Sequence, residues 1–334
     1  MPAVQDALLE RAVRARVGSS ATDLLDASAL RVLLCGSSSP LAAPGREKAC
    51  VAVFAAGRIW IVDTGPGSFR NLALWRVPVA RVGGVLLTHY HSDHIGELGE
   101  LNMQTWVAGR SSPLRVFGPP GVERVVDGFS RAYALDRDYR VAHHGRDLLS
   151  PDTWRMQAMP IEIPAGAASA PVLEEQGLRI AAIRVDHRPV APAYGYRFDY
   201  GGRSVVVSGD TTAGAGLEES ARGVDVLVHE ALSRTMIGTL ERAMRQIGNA
   251  RLTQLLSDLP SYHTTPVEAA RVANAAGAKL LVLYHLAPPP RGLLSRIFVR
   301  GIDSVRPKGW LLGTDGLLVE LPVGSESIET RSLR

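Results

Sequence analysis

The sequence predicts an α/β fold: one domain with two similar halves. Short apolar runs rich in valine, isoleucine and leucine recur along the chain, bounded by glycine, proline or polar residues, as buried strands are. Stretches of helical spacing separate several of them. No internal repeat by identity and no low-complexity linker divides the 334 residues, enough to bury a substantial core.

Residues 3–17 read as an amphipathic helix, with Val4, Leu8, Leu9 and Val13 on one side and arginines elsewhere. It is expected to pack on the domain or on a partner, with the membrane surface the lesser option. Residues 30–35 form a strand, and 50–55 and 59–62 two more joined by a turn at Gly57. A fourth strand, 85–88, follows Gly83-Gly84. A helix over about 94–108 leads to a strand from Leu114 and a turn ending at Gly121, and residues 122–135 are expected to be helical. Residues 136–177, rich in proline, alanine and charge, are expected to be irregular with short strands. The strand–turn rhythm resumes at 178–185, 194–200, 204–208 and 224–229, before a helix at 266–276 and a strand at 279–284. Residues 310–320 read as a strand pair.

Composition excludes little and permits much. A hydrophobic fraction of 46% and a charged fraction of 21% are ordinary for a globular protein. The net charge of +4 permits anionic substrates without demanding nucleic acid. The basic residues are nearly all arginine, which suits bidentate phosphate contacts, although genomic base composition explains the bias more simply. No apolar run reaches transmembrane length, and Arg11, Arg14, Arg16, Asp23 and Asp26 interrupt any signal-peptide core in residues 1–30. The expectation is a cytoplasmic, reduced protein without stable membrane insertion. Cys35 and Cys50, the only cysteines, end one strand and start the next, and are expected to be buried free thiols.

The chemistry concentrates in residues 89–94, His-Tyr-His-Ser-Asp-His. Three imidazoles and a carboxylate crowd the point where a strand ends and a helix begins. Zinc prefers such nitrogen and oxygen donors, with manganese and iron open alternatives. His89 and His91, two apart on a tight loop, can turn to one ion, while the adjacent Asp93 and His94 can face a second.

This His-x-His-x-Asp-His motif resembles the signature of the metallo-β-lactamase superfamily. The resemblance implies a four-layer αββα sandwich with a metal site at one edge of its two sheets, and hydrolysis as the commonest chemistry. In that superfamily an aspartate at the place of Asp63 orients a metal-binding histidine; turn chemistry beside Gly65 is the alternative.

Further donors close later strands: His187 after 178–185, Asp210 after 204–208, and His285 after 279–284. These segments resemble ribonuclease Z, the zinc phosphodiesterase branch. Residues 186–199 look like its third-histidine segment, Gly209-Asp210-Thr211 like its bridging-aspartate turn, and His229-Glu230-Ala231 like its His-Glu-Ala-Thr loop, with Leu232 for the threonine. His263-Thr264-Thr265 resembles its His-Ser/Thr segment. By position, one Zn2+ would take His89, His91 and His187, the other Asp93, His94 and His285, with Asp210 bridging. The resemblance implies a bridging hydroxide that attacks phosphorus, helped by Asp93, with His263 as acid or charge stabiliser. Glu230, next to His229, would orient His263 or shape its loop.

On this reading residues 1–29 are an N-terminal helical extension, and 30–334 a single domain with insertions at about 136–177 and 231–262. The branch's tRNA-gripping arm has no room, because residues 200–209 alone separate the two relevant motifs. Met236, Leu240, Met244, Ile247, Leu252, Leu255, Leu256 and Leu259 suggest instead a helical lid over the pocket, core packing being the alternative. The basic and apolar residues 289–300 read as an ordinary packed loop, contact with a membrane or an anionic substrate being the alternative, and the pair His143-His144 as surface or hydrogen-bonded structure. The expected activity is a dinuclear metal-dependent hydrolase acting as a phosphodiesterase on RNA ends or small diesters. A lactonase, esterase or β-lactamase using the same site is the alternative. A non-catalytic metal-binding module fits poorly with a complete ligand set, and an iron oxidoreductase with the absence of a flavin-binding domain. Homodimerisation follows only by family analogy.

Overall fold

The computed structural model describes residues 2–17 and 21–333. Six strands come first: β1 (Ala29–Gly36), β2 (Cys50–Ala55), β3 (Arg58–Val62), β4 (Val82–Leu86), β5 (Leu114–Gly118) and β6 (Met156–Pro160). Seven follow: β7 (Ser169–Glu175), β8 (Leu178–His187), β9 (Val190–Tyr200), β10 (Arg203–Val207), β11 (Val226–Leu232), β12 (Leu280–Ala287) and β13 (Trp310–Leu312). The last two are β14 (Leu317–Pro322) and β15 (Glu329–Ser332). One sheet runs β15-β14-β1-β2-β3-β4-β5-β6, the other β13-β12-β11-β10-β9-β8-β7.

The strands alternate their side chains between two cores, as a pleated strand must. Leu30, Val32 and Leu34 of β1 meet Tyr196, Phe198, Val205 and Val207 of the second sheet between the layers. Leu33, Ile61 and Val85 face outward onto Leu72, Leu98 and Leu101 of helices. Val206, Leu227 and Leu281 do the same against Ala269, Val272 and Ala273 of the helix Pro266–Ala276. Each such buried side chain contributes roughly 1.5–3 kcal/mol. Helix, sheet, sheet and helix make four layers, the αββα sandwich.

Several local expectations need correcting. Cys35 and Cys50 are not free thiols but a disulfide, their Cα atoms 5.0 Å apart. A register shift between Leu34 and Gly36 sets Gly36, rather than Cys35, opposite Cys50, and both sulfurs reach the same outer core. Residues 310–320 are not a strand pair: β13 joins β12 in one sheet and β14 joins β1 in the other. Asp315 makes this crossing, because its buried carboxylate accepts from Ser37 N at 3.0 Å and Asn71 Nδ2 at 2.9 Å on the first sheet's side. The stretch 136–177 is more regular than expected, opening inside the helix Ala134–His144.

The helix Pro2–Val17 is present, yet Val4, Leu8, Leu9 and Val13 are all exposed. At 100° per residue these positions spread over about half the circumference, so no stripe exists to pack. Among the described residues no helix is long and apolar enough to cross a membrane.

Candidate metal centre

Every expected donor sits where a strand gives out. After β4 the chain runs through His89 and His91 into the short helix Ser92–Ile95, which carries Asp93 and His94 in one turn. His187 ends β8, and His285 lies two residues before the end of β12. Asp210 follows β10 through Gly209, whose φ of +63° and closeness to Tyr194 O, 2.5 Å from where a Cβ would stand, leave room only for glycine. Carboxyl ends of strands are where α/β sheets gather ligands. Asp63 and His285 are non-glycine residues with φ of 59° and 44°, strain that active sites concentrate.

The donors converge in three overlapping groups whose ligand atoms lie within 4.8 Å of one another: His89, His91, His187 and Asp210; Asp93, His94 and His285; and Asp210, His263 and His285. Asp210 Oδ2 stands 3.4 Å from His94 Nε2, 3.8 Å from His187 Nε2 and 3.9 Å from His89 Nε2. Its Oδ1 is 3.3 Å from His285 Nδ1. His89 Nε2 and His91 Nδ1 approach to 2.9 Å, and His285 Nε2 lies 3.2 Å from Asp93 Oδ2.

The opposite ring nitrogens are held by the protein. His94 Nδ1 meets Asp63 Oδ2 at 2.8 Å, His89 Nδ1 meets Thr88 Oγ1 at 3.1 Å, and His187 Nδ1 meets Tyr262 O at 3.0 Å. Fixing one imidazole nitrogen aims the other. His263 Nδ1 is likewise tied to Glu230 Oε1 at 3.0 Å, and that oxygen also accepts from Thr264 N at 3.1 Å and Thr211 N at 3.3 Å.

Whether these residues suit a metal is answered by what they leave unsatisfied. His187 Nε2, His285 Nδ1 and Asp210 Oδ1 are buried without a hydrogen-bond partner. Such groups are costly unless something binds them. Burial, before any charge effect, pushes His89, His91 and His187 down, so their lone pairs are free for a cation. Burial would raise Asp210, but His285 and His94 hold it well below the carboxylate range. Burial likewise opposes Asp93, yet His94 and the hydrogen bond from His285 hold it at about 2. Burial would lower His94, but Asp210, Asp63 and Asp93 lift it well above its ordinary value. The neutral imidazoles of His89, His91 and His187 beside ionised carboxylates, with His94 holding a proton that a cation would displace, make a donor set that fits a divalent metal.

The donors open on a cavity of about 420 Å3. His91, Asp93, Asp210 and His263 line it, and so do Leu252, Leu255, Leu256 and Leu259. Burial alone would lower His263, but the charge and hydrogen bond of Glu230 reverse this and raise it to about 9. His229 is buried with Nδ1 on Glu230 O at 2.8 Å; among the described residues no hydrogen bond or ring contact joins it to the cluster. Adjacent strand residues face opposite ways, which separates it from Glu230. His143 and His144 end an exposed helix. Sequence reasoning missed Thr88 and Tyr262, whose only signal was adjacency to His89 and His263. It also missed Ser39, Pro40 and Leu41 in the cavity wall, which loop length hid.

Residues 58–286 match the Beta-lactamase superfamily domain. Ribonuclease Z of Mycolicibacterium paratuberculosis is 36% identical over 262 residues, 78% of this chain and 86% of that protein. Among solved structures, the short form of human tRNase Z superposes with a TM-score of 0.64 at 20% identity, over 88% of this chain and 100% of that one. The metallo-β-lactamase fold protein YhfI from Bacillus subtilis gives 0.63 at 19% identity, over 87% and 99%. These two likenesses carry the fold alone. With Tyr200 paired to Arg203 across Gly201-Gly202, both at positive φ, β9 and β10 form a tight hairpin that leaves no place for an arm. The chain belongs to the β-lactamase superfamily, on its ribonuclease Z-like branch without the tRNA-gripping arm, and is a metal-dependent hydrolase.

Proposed function

We propose that the protein is a dinuclear metal phosphodiesterase acting on RNA ends or small phosphodiesters. The observation that carries this reading is His263, held by Glu230 beside Asp210 and His285, a polar pair beyond what metal ligation needs. His89, His91 and His187 would hold one Zn2+, Asp93, His94 and His285 the other, with Asp210 shared between them. Bound metal supplies a Lewis acid for the phosphoryl oxygens and lowers the pKa of water at the site.

The chain's own residues do the rest. Asp93, ionised throughout the neutral range, accepts a proton from the attacking water. Water oxygen bonds to phosphorus as the ester oxygen leaves in line. His263, its Nδ1 fixed on Glu230, gives a proton from its other nitrogen to that leaving oxygen. Glu230 positions His263 and pins Thr211 and Thr264, so the loop after Asp210 and the segment after His263 share one anchor.

The test is hydrolysis of bis(p-nitrophenyl) phosphate by zinc-reconstituted protein, with metal content measured alongside. His263→Ala should keep its metal and lose roughly 10²-fold or more in turnover. The loss should be larger on diphenyl phosphate, whose phenoxide leaves poorly and depends more on a proton. A variant with unchanged turnover on both diesters would remove His263 from the mechanism. No diester hydrolysis with two metals bound would move the reading to lactones and carboxylic esters, which the apolar cavity wall suits.

A further inference from the structure

The helix Ala250–Asp258 has no buried residue, although Leu252, Leu255, Leu256 and Leu259 fall on one face at the spacing of a packed stripe. Half of that face is used. Leu256 and Leu259 pack with Leu41 against Leu232, Ile237 and Ala287 and hold the helix down. Leu252 and Leu255 line the metal cavity and stay 42% and 52% exposed. Stability does not require leucine at either position, since an exposed helix position accepts Gln or Lys with little change in propensity. Two leucines left in water beside a cluster of imidazoles and carboxylates are surface held ready for a ligand.

We infer that this face is a hydrocarbon subsite, and that the substrate is a small phosphodiester bearing an alkyl chain on one ester oxygen. The assignment rests on the phosphodiesterase reading for the identity of the headgroup. The chemistry of the wall selects the chain. Apart from the donors and Ser39, Ser92 and Tyr262, the wall is leucine with Pro40, Leu41 and Ala287, which offer contact area but no partner for the edge of a nucleobase. One space of about 420 Å3 is lined both by Asp210 and His263 and by Leu252 and Leu255. A phosphate anchored at the polar end therefore directs a six-carbon chain along the leucines. Each methylene that leaves water should strengthen binding roughly 3- to 4-fold where burial is complete, and less on a half-open wall.

The experiment uses the zinc-loaded full chain and titrates methyl-, butyl- and hexylphosphonate by calorimetry. Affinity should rise with chain length, by about 10-fold or more from methyl to hexyl. In the double variant Leu252→Gln, Leu255→Gln that ratio should fall to about 3-fold or less. Leu240→Gln, on the neighbouring helix Arg234–Gln246 and outside the cavity lining, should leave the ratio as it is. A flat series in the unaltered protein, or a ratio that survives the double variant, overturns the subsite.

A second arm compares kcat/KM for methyl and hexyl p-nitrophenyl phosphate, which share a leaving group, and for thymidine 5′-(p-nitrophenyl) phosphate. The hexyl diester should lead. If the thymidine ester leads, the wall reads a base and the alkyl assignment is wrong. A phosphonate series that rises while no diester is hydrolysed keeps the subsite and rejects the phosphodiesterase reading instead.

Discussion

Asp63 is the residue through which backbone and chemistry meet. One carboxylate oxygen accepts from Thr88 N at 2.8 Å; the other lies 2.9 Å from Thr88 Oγ1 and 2.8 Å from His94 Nδ1. It therefore fixes both the start of the His89–His94 loop and the ring of one donor. Its φ of 59° is tolerated by asparagine as well as by aspartate, so Asp63→Asn tests the charge without disturbing the backbone. The amide has one acceptor oxygen where two are used, and it brings no negative charge to His94. Metal affinity, measured by competition with a chromogenic chelator, should fall roughly 10- to 100-fold, with the fold retained. Equal affinity in the two proteins would show that Asp63 is only a turn residue.

At the scale of elements, the helix Pro266–Ala276, which follows His263, is started by a reciprocal cap. Thr265 Oγ1 accepts from Glu268 N at 3.2 Å, and Glu268 Oε2 accepts from Thr265 N at 2.8 Å. Thr265→Ala should cost about 1 kcal/mol of stability, read from urea unfolding, and Thr265→Ser should restore most of it. An alanine variant as stable as the parent would mean that Pro266 and the buried face hold the helix without the cap. This helix was legible in the sequence because Thr-Pro-x-Glu precedes an alanine-rich face. The donors were legible for a related reason: His89, His187, Asp210 and His285 each interrupt or close an apolar run, which no buried strand tolerates without a use. Cys35–Cys50 was not, since its pairing depends on one bulge in β1. Nor was the crossing between β13 and β14, because Gly313 and Gly316 read like a hairpin and only the buried partners of Asp315 pull the chain to the other sheet. The two-helix segment 234–258 had readable apolar spacing, but which of the cavity-lining leucines also pack depends on contacts with Leu41 and Ala287, distant in sequence.

For the whole molecule, the two sheets are joined away from the metal centre by Arg203. Its guanidinium meets the Asp225 carboxylate at 3.1 Å and also donates to Pro322 O at 3.2 Å and Ser327 O at 3.0 Å, so β10 is tied to the chain leaving β14. The side chains of Arg203 and Asp225 are 3% and 6% exposed. Burial opposes ionisation of Asp225, but hydrogen bonds from Arg203, Lys279 and Ser204 N outweigh it and lower its pKa. A carboxyl lowered on folding stabilises the native state above its unfolded pKa of about 3.9, and that contribution is lost as pH falls through the native value. Asp225→Asn leaves a buried guanidinium without its counter-charge and should cost about 3 kcal/mol at pH 7. The gap between parent and variant, followed by urea unfolding, should stay constant from pH 7 to about 5 and close as the pH is taken below about 4. Because Arg203 starts β10 and Asp210 follows the other end of that strand, zinc content at neutral pH should be the same in both proteins. A gap that persists unchanged in acid would mean that packing around Asp225, rather than its charge, joins the sheets.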